Sequence, residues 1–338
     1  MPSKEVFYAY GPRLANEERL IDTCPTTVRN REVMRAFLEF NLARGLSVMR
    51  AVRLAQAARQ VALVLGRNFE GVTRVDIQRA VVAISARPDW SGWTKQSLRV
   101  TLRLLYKYLA GTREVPELVA WVETRLRRDE QQRTYREEEL PVEVDLQRAL
   151  AVARTPLEVT FVSVLEESGA RPGELLLLDR RNATFERDVA ILEVNGKTGP
   201  REILLVRSAR VLAAYMEATS DGATPDTPLW RTAGSTYPFL TAESMRAMLR
   251  RLYREAGIPK RALAYLWRHA RITNNAKNGM THAQLCTYFG WKYSSPMPDR
   301  YIHMTARSIE PVIRHLHVRP DHHARPQLVG RPTGPPPD

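Results

Sequence analysis

The spacing of apolar positions changes along the chain, and the changes mark out its elements. From Val28, a stripe of Val33, Phe37 and Phe40 predicts a helix that Gly45 stops. Ser47 is a good cap for a long second helix with Val52, Ala55, Ala58, Ala62 and Leu65 on one face and Gly66 at its end. Thr73 with Asp76 resembles a capping box before a helix from Arg74 to Ser85, with Asp in place of the usual Glu. Thr94 is placed to cap a fourth helix, Lys95 to Leu109, whose Leu98, Leu102, Leu105 and Leu109 face inward and which Gly111 ends. Further on, Leu146, Leu150 and Ala153 mark a helix, followed by another from Leu157 to Glu167. The period then drops to two over Val189 to Val194 and Arg201 to Val206, with Asn195-Gly196 and Gly199 as turn residues, which predicts a hairpin. Helices resume over Ser208 to Ala218 and Thr241 to Tyr253, the latter with Met245, Met248, Leu249 and Leu252 inward. Two more run to Gly279 and to Gly290, and a last short one from Ala306 to Leu316 carries Ile309, Ile313 and Leu316.

The stretches between are as informative. Residues 1 to 27 hold prolines at 2, 12 and 25 and no sustained period, which reads as a flexible N-terminal arm. Residues 113 to 142 are charged and poor in apolar side chains and read as a linker. The polar stretch Asp221 to Tyr237 receives no assignment, and residues 319 to 338, with six prolines, read as a disordered tail. The organisation expected is a helical domain over 28–112 and a second domain over 143–318, mainly α with a small antiparallel sheet. A chain of 338 residues is long enough for each to bury its own core.

Composition narrows the partners. A net charge of +14 and a pI near 10.1 call for a polyanion. No run of about 18 apolar residues suggests a membrane span, and MPSKEVFYAY lacks a signal pattern, so a cytoplasmic, DNA-associated protein with no membrane partner is expected. The two cysteines, Cys24 and Cys286, lie far apart with no Cys/His cluster, so reduced thiols and no metal are expected. Of 51 basic residues only seven are lysines. Two of these, Lys95 and Lys107, join Arg99 and Arg103 at strict four-residue spacing on the fourth helix, a candidate ladder of positive charge for DNA phosphates.

The candidate chemistry lies between Tyr265 and His303. Arg268 precedes Trp291 by 23 residues, and Tyr301 follows by 10 more, after a loop carrying Pro296 and Pro298. A guanidinium can grip two phosphate oxygens, an indole N–H can donate to a third, and a phenol can attack phosphorus.

The segment resembles the C-terminal half of the active site of tyrosine recombinases, the phage-type integrases and Xer-like resolvases. The similarity lies in Trp267-Arg268-His269-Ala270-Arg271-Ile272-Thr273, Gly279, Phe289-Gly290-Trp291 and Tyr301-Ile302-His303. Earlier, Ser168-Gly169-Ala170-Arg171-Pro172-Gly173-Glu174-Leu175 is similar to the family's Thr-Gly-Leu-Arg-x-Ser-Glu-Leu, and it stands 97 residues before Arg268. The order of helices over 28–112 is similar to that family's SAM-like core-binding domain, which clamps DNA. The resemblance implies Tyr301 as nucleophile, with Arg171, Arg268 and Trp291 on the phosphate and Glu174 supporting Arg171. It implies Lys197, in the hairpin turn, as the acid for the leaving 5′-oxygen. His269 and His303 are expected to be satisfied polar groups. The family's usual histidine three residues before Arg268 is Tyr265 here. Phenols titrate near pH 10, so this tyrosine is a poorer proton acceptor than imidazole and is expected only to hydrogen-bond the phosphate or Tyr301.

The activity implied is strand cleavage and rejoining in double-stranded DNA through a 3′-phosphotyrosine, without metal, ATP or other cofactor. The protein would act as a dimer on one site and a tetramer in the synapse. The helix after the nucleophile would dock on a neighbouring protomer or on its own domain. Two alternatives stay open: a type IB topoisomerase-like strand transferase, and a DNA-binding relative with impaired catalysis.

Overall fold

The computed structural model describes residues 10–126, 135–196, 198–232, 237–302 and 314. Among them, the first half of the chain forms helices α1 (Tyr10–Asp22), α2 (Val28–Ala43), α3 (Val48–Leu65), α4 (Arg74–Ala86), α5 (Gly92–Leu109) and the single turn α6 (Glu117–Ala120). Helix α3 packs against α1, α2, α4 and α5. Its buried face is built largely of Ala51, Ala55, Ala58 and Ala62, small enough for other helices to approach closely, with Val52, Leu54 and Val61 filling the gaps. Gly66 closes it at φ +63°, and Thr73 and Asp76 cap α4 reciprocally.

Three expectations fail here. The arm contains a docked helix: Ile21 and Cys24 are buried in this core, and the carboxylate of Glu17, fully buried on α1, accepts from Arg59 Nε at 2.7 Å. Pro12 does not disrupt α1 because it sits in the first turn, where an N–H is not needed. The cap of α5 is Ser91, whose hydroxyl accepts from the Thr94 N–H, so Thr94 lies inside the helix rather than before it. The linker's first part also belongs to this core, with Val119 and Val122 buried in it.

The charge ladder is not a ladder either. Four residues turn a helix through about 400°, so each step advances about 40° around the axis and the row winds into the bundle. Arg99 is 1% exposed, its Nη2 donating to the Arg125 carbonyl at 3.3 Å. Arg103 Nη1 donates to the Val122 carbonyl at 3.2 Å, and Lys95 Nζ caps the end of α4 by donating to the Ser85 carbonyl at 2.7 Å. Lys107 is half-buried beside Phe40 and Tyr108. Three of the four cations hold backbone carbonyls.

The second half contains α7 (Glu143–Ala151), α8 (Pro156–Ser168), the short α9 (Pro172–Leu176), strands β1 (Ala183–Glu186), β2 (Val189–Gly196) and β3 (Gly199–Leu205), then α10 (Ala209–Ala218), α11 (Ala242–Glu255), α12 (Ala264–Lys277) and α13 (His282–Phe289). The strands form one antiparallel sheet in the order β1-β2-β3, with Ala183 opposite Leu192, Ala190 opposite Leu205 and Gly196 opposite Gly199. Ala190, Leu192 and Val194 alternate inward on β2, and Ile203 and Leu205 do so on β3, meeting Phe161, Trp230 and Trp267 in the second core. Strand β1 and the path of 221–232 were not foreseen. The latter pairs back through Leu229 N–H to the Leu178 carbonyl and seats Trp230, whose indole donates to the Leu175 carbonyl at 2.7 Å. Leu140 packs on Leu266 and Ala270 of α12, so the linker's far end lies against the second core. Among the described residues no helix is long and apolar enough to cross a membrane. The expected helix 306–316, apart from Arg314, and the expected tail lie outside the described residues.

The buried Glu17–Arg59 pair tests whether α1 is integral. Arg59→Ala leaves a carboxylate buried without its partner and is expected to lower stability by about 3 kcal/mol in denaturant titration. A loss below about 0.5 kcal/mol, in the range of surface pairs, would mean that α1 is not anchored there.

Candidate active site

The site is assembled around the C-terminal end of α13. Thr281 caps the start of this helix, and Gly290, at φ +64°, ends it. A Cβ at Gly290 would stand 2.7 Å from Arg201 Nη1, so both the backbone conformation and the space require glycine. The last carbonyls of a helix have no partners within it. Here Arg201 Nε donates to the Tyr288 carbonyl at 2.9 Å, Arg268 Nη2 to that of Phe289 at 2.7 Å, and Arg171 Nη2 to that of Gly290 at 3.1 Å. The Thr198 hydroxyl adds a bond to the Gly290 carbonyl at 3.0 Å.

Arg171 is the residue before α9, and its Nη1 donates to Glu174 Oε1 at 2.8 Å. The same carboxylate takes two bonds from Arg201, at 3.0 and 2.7 Å. Burial raises the Glu174 carboxyl, but the hydrogen bonds and charge of Arg201, then those of Arg171, outweigh it and hold it at about 2. Gly196 passes so close that a Cβ there would lie 2.3 Å from Glu174 Oε1, which fixes glycine at the end of β2.

Arg268, on α12, is 1% exposed. Its second hydrogen bond goes from Nη1 to the Gly169 carbonyl at 2.9 Å, and its guanidinium stands 5.3 Å from the ring centroids of both Phe289 and Trp291. Among the described residues it has no carboxylate within ion-pair distance. Burial, then the charge of Arg171, push its pKa down, but a guanidinium remains charged at neutral pH.

Trp291 follows directly, half-buried, and its ring stacks at 6.2 Å and 21° on that of Tyr301. Tyr301 ends a turn begun by the buried Pro298 and is 7% exposed. Its Oη lies at hydrogen-bond distance from His269 Nδ1, 2.6 Å, which holds the phenol in place. Burial, then the neighbouring Tyr265, push the Tyr301 phenol up to about 12. Burial, then the charge of Arg268, push His269 down to about 4. Tyr265 is 48% exposed, with its ring edge-on to His269 at 5.2 Å. Lys197 and His303 lie outside the described residues.

No family model matches the chain, and no curated protein matches it in sequence. Solved structures do match. It is similar to the XerH site-specific recombinase bound to difH substrate, at 14% identity and TM-score 0.61 over 94% of this chain and 97% of that one. The Tn1549 transposon integrase in complex with circular intermediate DNA matches at 17% identity and TM-score 0.63, over 84% and 99%. A lambda integrase dimer bound to a core site matches at 13% and 0.60, over 87% and 80%. The chain has the tyrosine recombinase fold.

Within that fold, Arg171, Arg268, Trp291, Tyr301, Glu174 and His269 form one continuous set of contacts. Among the described residues Tyr265 meets the set through the ring of His269. Two members were missed. Arg201 carried a signal in the sequence, because it occupies the inward parity of β3 with Ile203 and Leu205, where a charge needs a buried partner. Tyr135, whose ring lies 5.2 Å from that of His269, comes from the stretch read as linker, and no local pattern marked it.

The depressed Glu174 gives a pH test. Its stabilising contribution is complete above the ordinary carboxyl range and is lost as pH falls toward about 2. Wild type is therefore expected to lose about 3 kcal/mol between about pH 5 and pH 2 that Glu174→Gln does not lose, measured by denaturant titration at each pH. Parallel acid profiles for the two proteins would show that this carboxylate does not carry the network.

Proposed function

We propose that the protein is a site-specific DNA recombinase that cleaves and rejoins duplex DNA through a 3′-phosphotyrosine at Tyr301. The observation that carries this reading is Arg268, a buried guanidinium with no carboxylate partner among the described residues, beside Trp291 and one residue before the partner of the Tyr301 hydroxyl. A buried cation is costly unless something answers its charge, and a bound phosphate would do so. Three guanidiniums stand here against one carboxylate, which touches only Arg171 and Arg201 among them, so the site keeps a local positive excess. The net charge of +14 extends that preference to a polyanion.

On this reading Tyr301 Oη attacks phosphorus and the 5′-oxygen leaves. Arg171 and Arg268, already fixed by the α13 carbonyls, offset the charge that gathers on the non-bridging oxygens, and the Trp291 indole donates to one of them. Lys197 protonates the leaving oxygen. Rejoining is the reverse attack by a hydroxyl on the phosphotyrosine, and no cofactor or metal is needed. The first helical unit, including α1 and residues 117–122, forms one half of a clamp on the duplex and residues 143–318 the other. Two protomers act on a site and four in the synapse, in the cytoplasm on the nucleoid. The solved relatives support this reading by what was captured with them: XerH was caught before and after cleavage of its substrate, and lambda integrase as a dimer on DNA.

Tyr301→Phe is expected to bind a specific half-site as wild type does and to form no covalent adduct with a nicked suicide duplex, because binding rests on many phosphate contacts and attack on one oxygen. A protease-sensitive adduct in this variant would assign the nucleophile elsewhere. Wild type that binds without any adduct would make the protein a DNA-binding relative.

Lys197→Ala is expected to lose cleavage of ordinary DNA and to regain much of it when sulfur replaces the bridging 5′-oxygen, since a thiolate leaves without a proton. Arg171→Ala should be equally impaired on both substrates. Absence of sulfur rescue would remove Lys197 from the role of acid.

A further inference from the structure

Residues 265 and 269 lie one turn apart on α12, about 40° from each other around the axis, so side chains at the two positions reach toward the same ground. The residue three before Arg268 is a half-exposed tyrosine that makes no hydrogen bond to Tyr301 among the described residues. The residue one after Arg268 is an imidazole whose Nδ1 lies 2.6 Å from Tyr301 Oη.

We infer that His269 is the general base that takes the phenolic proton of Tyr301, and that Tyr265 is dispensable for that transfer. The inference rests on the phosphotyrosine reading above.

The surroundings of His269 suit the task. From its own helix it is faced by the ring of Tyr265 and lies next to the Arg268 guanidinium; from the segment before α7 it meets the ring of Tyr135; from the turn after Pro298 it meets Tyr301, which is followed back along the chain by Arg300. No carboxylate faces it among the described residues, so nothing there stabilises the imidazolium in the resting protein. Burial and Arg268 keep the ring neutral at physiological pH. The inference requires the ring proton on Nε2, which leaves the Nδ1 lone pair to accept from the phenol. A DNA phosphate docked on Arg268 offsets the charge that depresses the ring, and the imidazole becomes more basic when the substrate is in place.

The step balances. The Tyr301 Oη–P bond forms, the P–O5′ bond breaks, the phenolic proton passes to His269 Nδ1, and O5′ takes a proton from the acid. Rejoining returns the proton from His269 to the phenol as it leaves. Because the transfer accompanies attack, no free phenolate is required.

Single-turnover cleavage of a suicide duplex by the full-length protein tests this across about pH 6 to 9. His269→Asn keeps a polar group near the Nδ1 position without a basic nitrogen. It is expected to slow adduct formation about 100-fold or more, with half-site affinity within about twofold of wild type. Its rate should climb about tenfold per pH unit, because phenolate must now form beforehand, whereas wild type should be nearly flat above neutrality. Tyr265→Phe should stay within about threefold of wild type at all pH values. The inference is overturned if Tyr265→Phe suffers the larger loss, if His269→Asn cleaves like wild type, or if it is slow with the wild-type pH profile, the mark of a packing role. As a check independent of variants, ring-nitrogen NMR of the free wild-type protein at about pH 6 should find His269 neutral and protonated on Nε2. An imidazolium or an Nδ1–H tautomer there also overturns it. Bound wild type that never forms an adduct would sink the phosphotyrosine reading itself, an outcome distinct from a wild-type adduct that His269→Asn forms equally fast.

Discussion

Three successive backbone carbonyls at the end of α13, those of Tyr288, Phe289 and Gly290, each receive a guanidinium from a different part of the chain. The end of a helix concentrates unsatisfied acceptors and partial negative charge in one place. Arg201 arrives from the sheet, Arg268 from α12 and Arg171 from the turn into α9. The three are positioned by the same peptide groups. Moving α13 would therefore move the hairpin, the first arginine and the second arginine together, and Trp291, the next residue in the chain, with them. The glycine at 290 makes this possible, because it turns the chain without placing a side chain against Arg201.

The same arrangement explains the charge state. Carbonyl dipoles satisfy guanidinium N–H groups without cancelling their charge, whereas carboxylates do both. Glu174 cancels one positive charge while touching two arginines, and among the described residues Arg268 is met by carbonyls and aromatic faces. The three guanidiniums are thus anchored by hydrogen bonds while their charge is only partly offset. That combination gives rigidity before ligand arrives together with attraction for an anion, the condition under which fixed dipoles stabilise developing charge without having to reorganise.

What could be read from the sequence follows from which forces act locally. Helices whose apolar stripes and caps lie within one segment, such as α3 with Gly66 or α4 with its Thr73–Asp76 box, were legible because neighbouring residues decide them. The docked α1 was not, since Glu17 is settled by Arg59, 42 residues away. The charge ladder on α5 failed for a related reason. Four-residue spacing places each cation near the last, but the row drifts around the helix, and only the packing of α4 and of residues 122–125 says which of its positions are covered. At the site, arginine, tryptophan and tyrosine were marked by residue type and spacing. Arg201 and Tyr135 were not, because their roles are fixed by strand parity and by a chain segment returning from the other core.

The position of the phenolic proton ties these threads together. In the resting protein the Tyr301 phenol is held near 12 and its acceptor near 4, so transferring the proton unaided would cost on the order of 10 kcal/mol. Burial contributes to both shifts, and both of the forms it disfavours, phenolate and imidazolium, are charged. The guanidinium of Arg268 acts differently on the two, opposing the imidazolium and favouring the phenolate, and its own charge meets no carboxylate at ion-pair distance among the described residues. On the proposed reading, a docked phosphate lowers the obstacle to protonating His269 while presenting the phosphorus for Tyr301 to attack. That reading ties nucleophile activation to the presence of the scissile group: a tyrosine packed against Trp291 would stay unreactive until DNA supplied the missing charge.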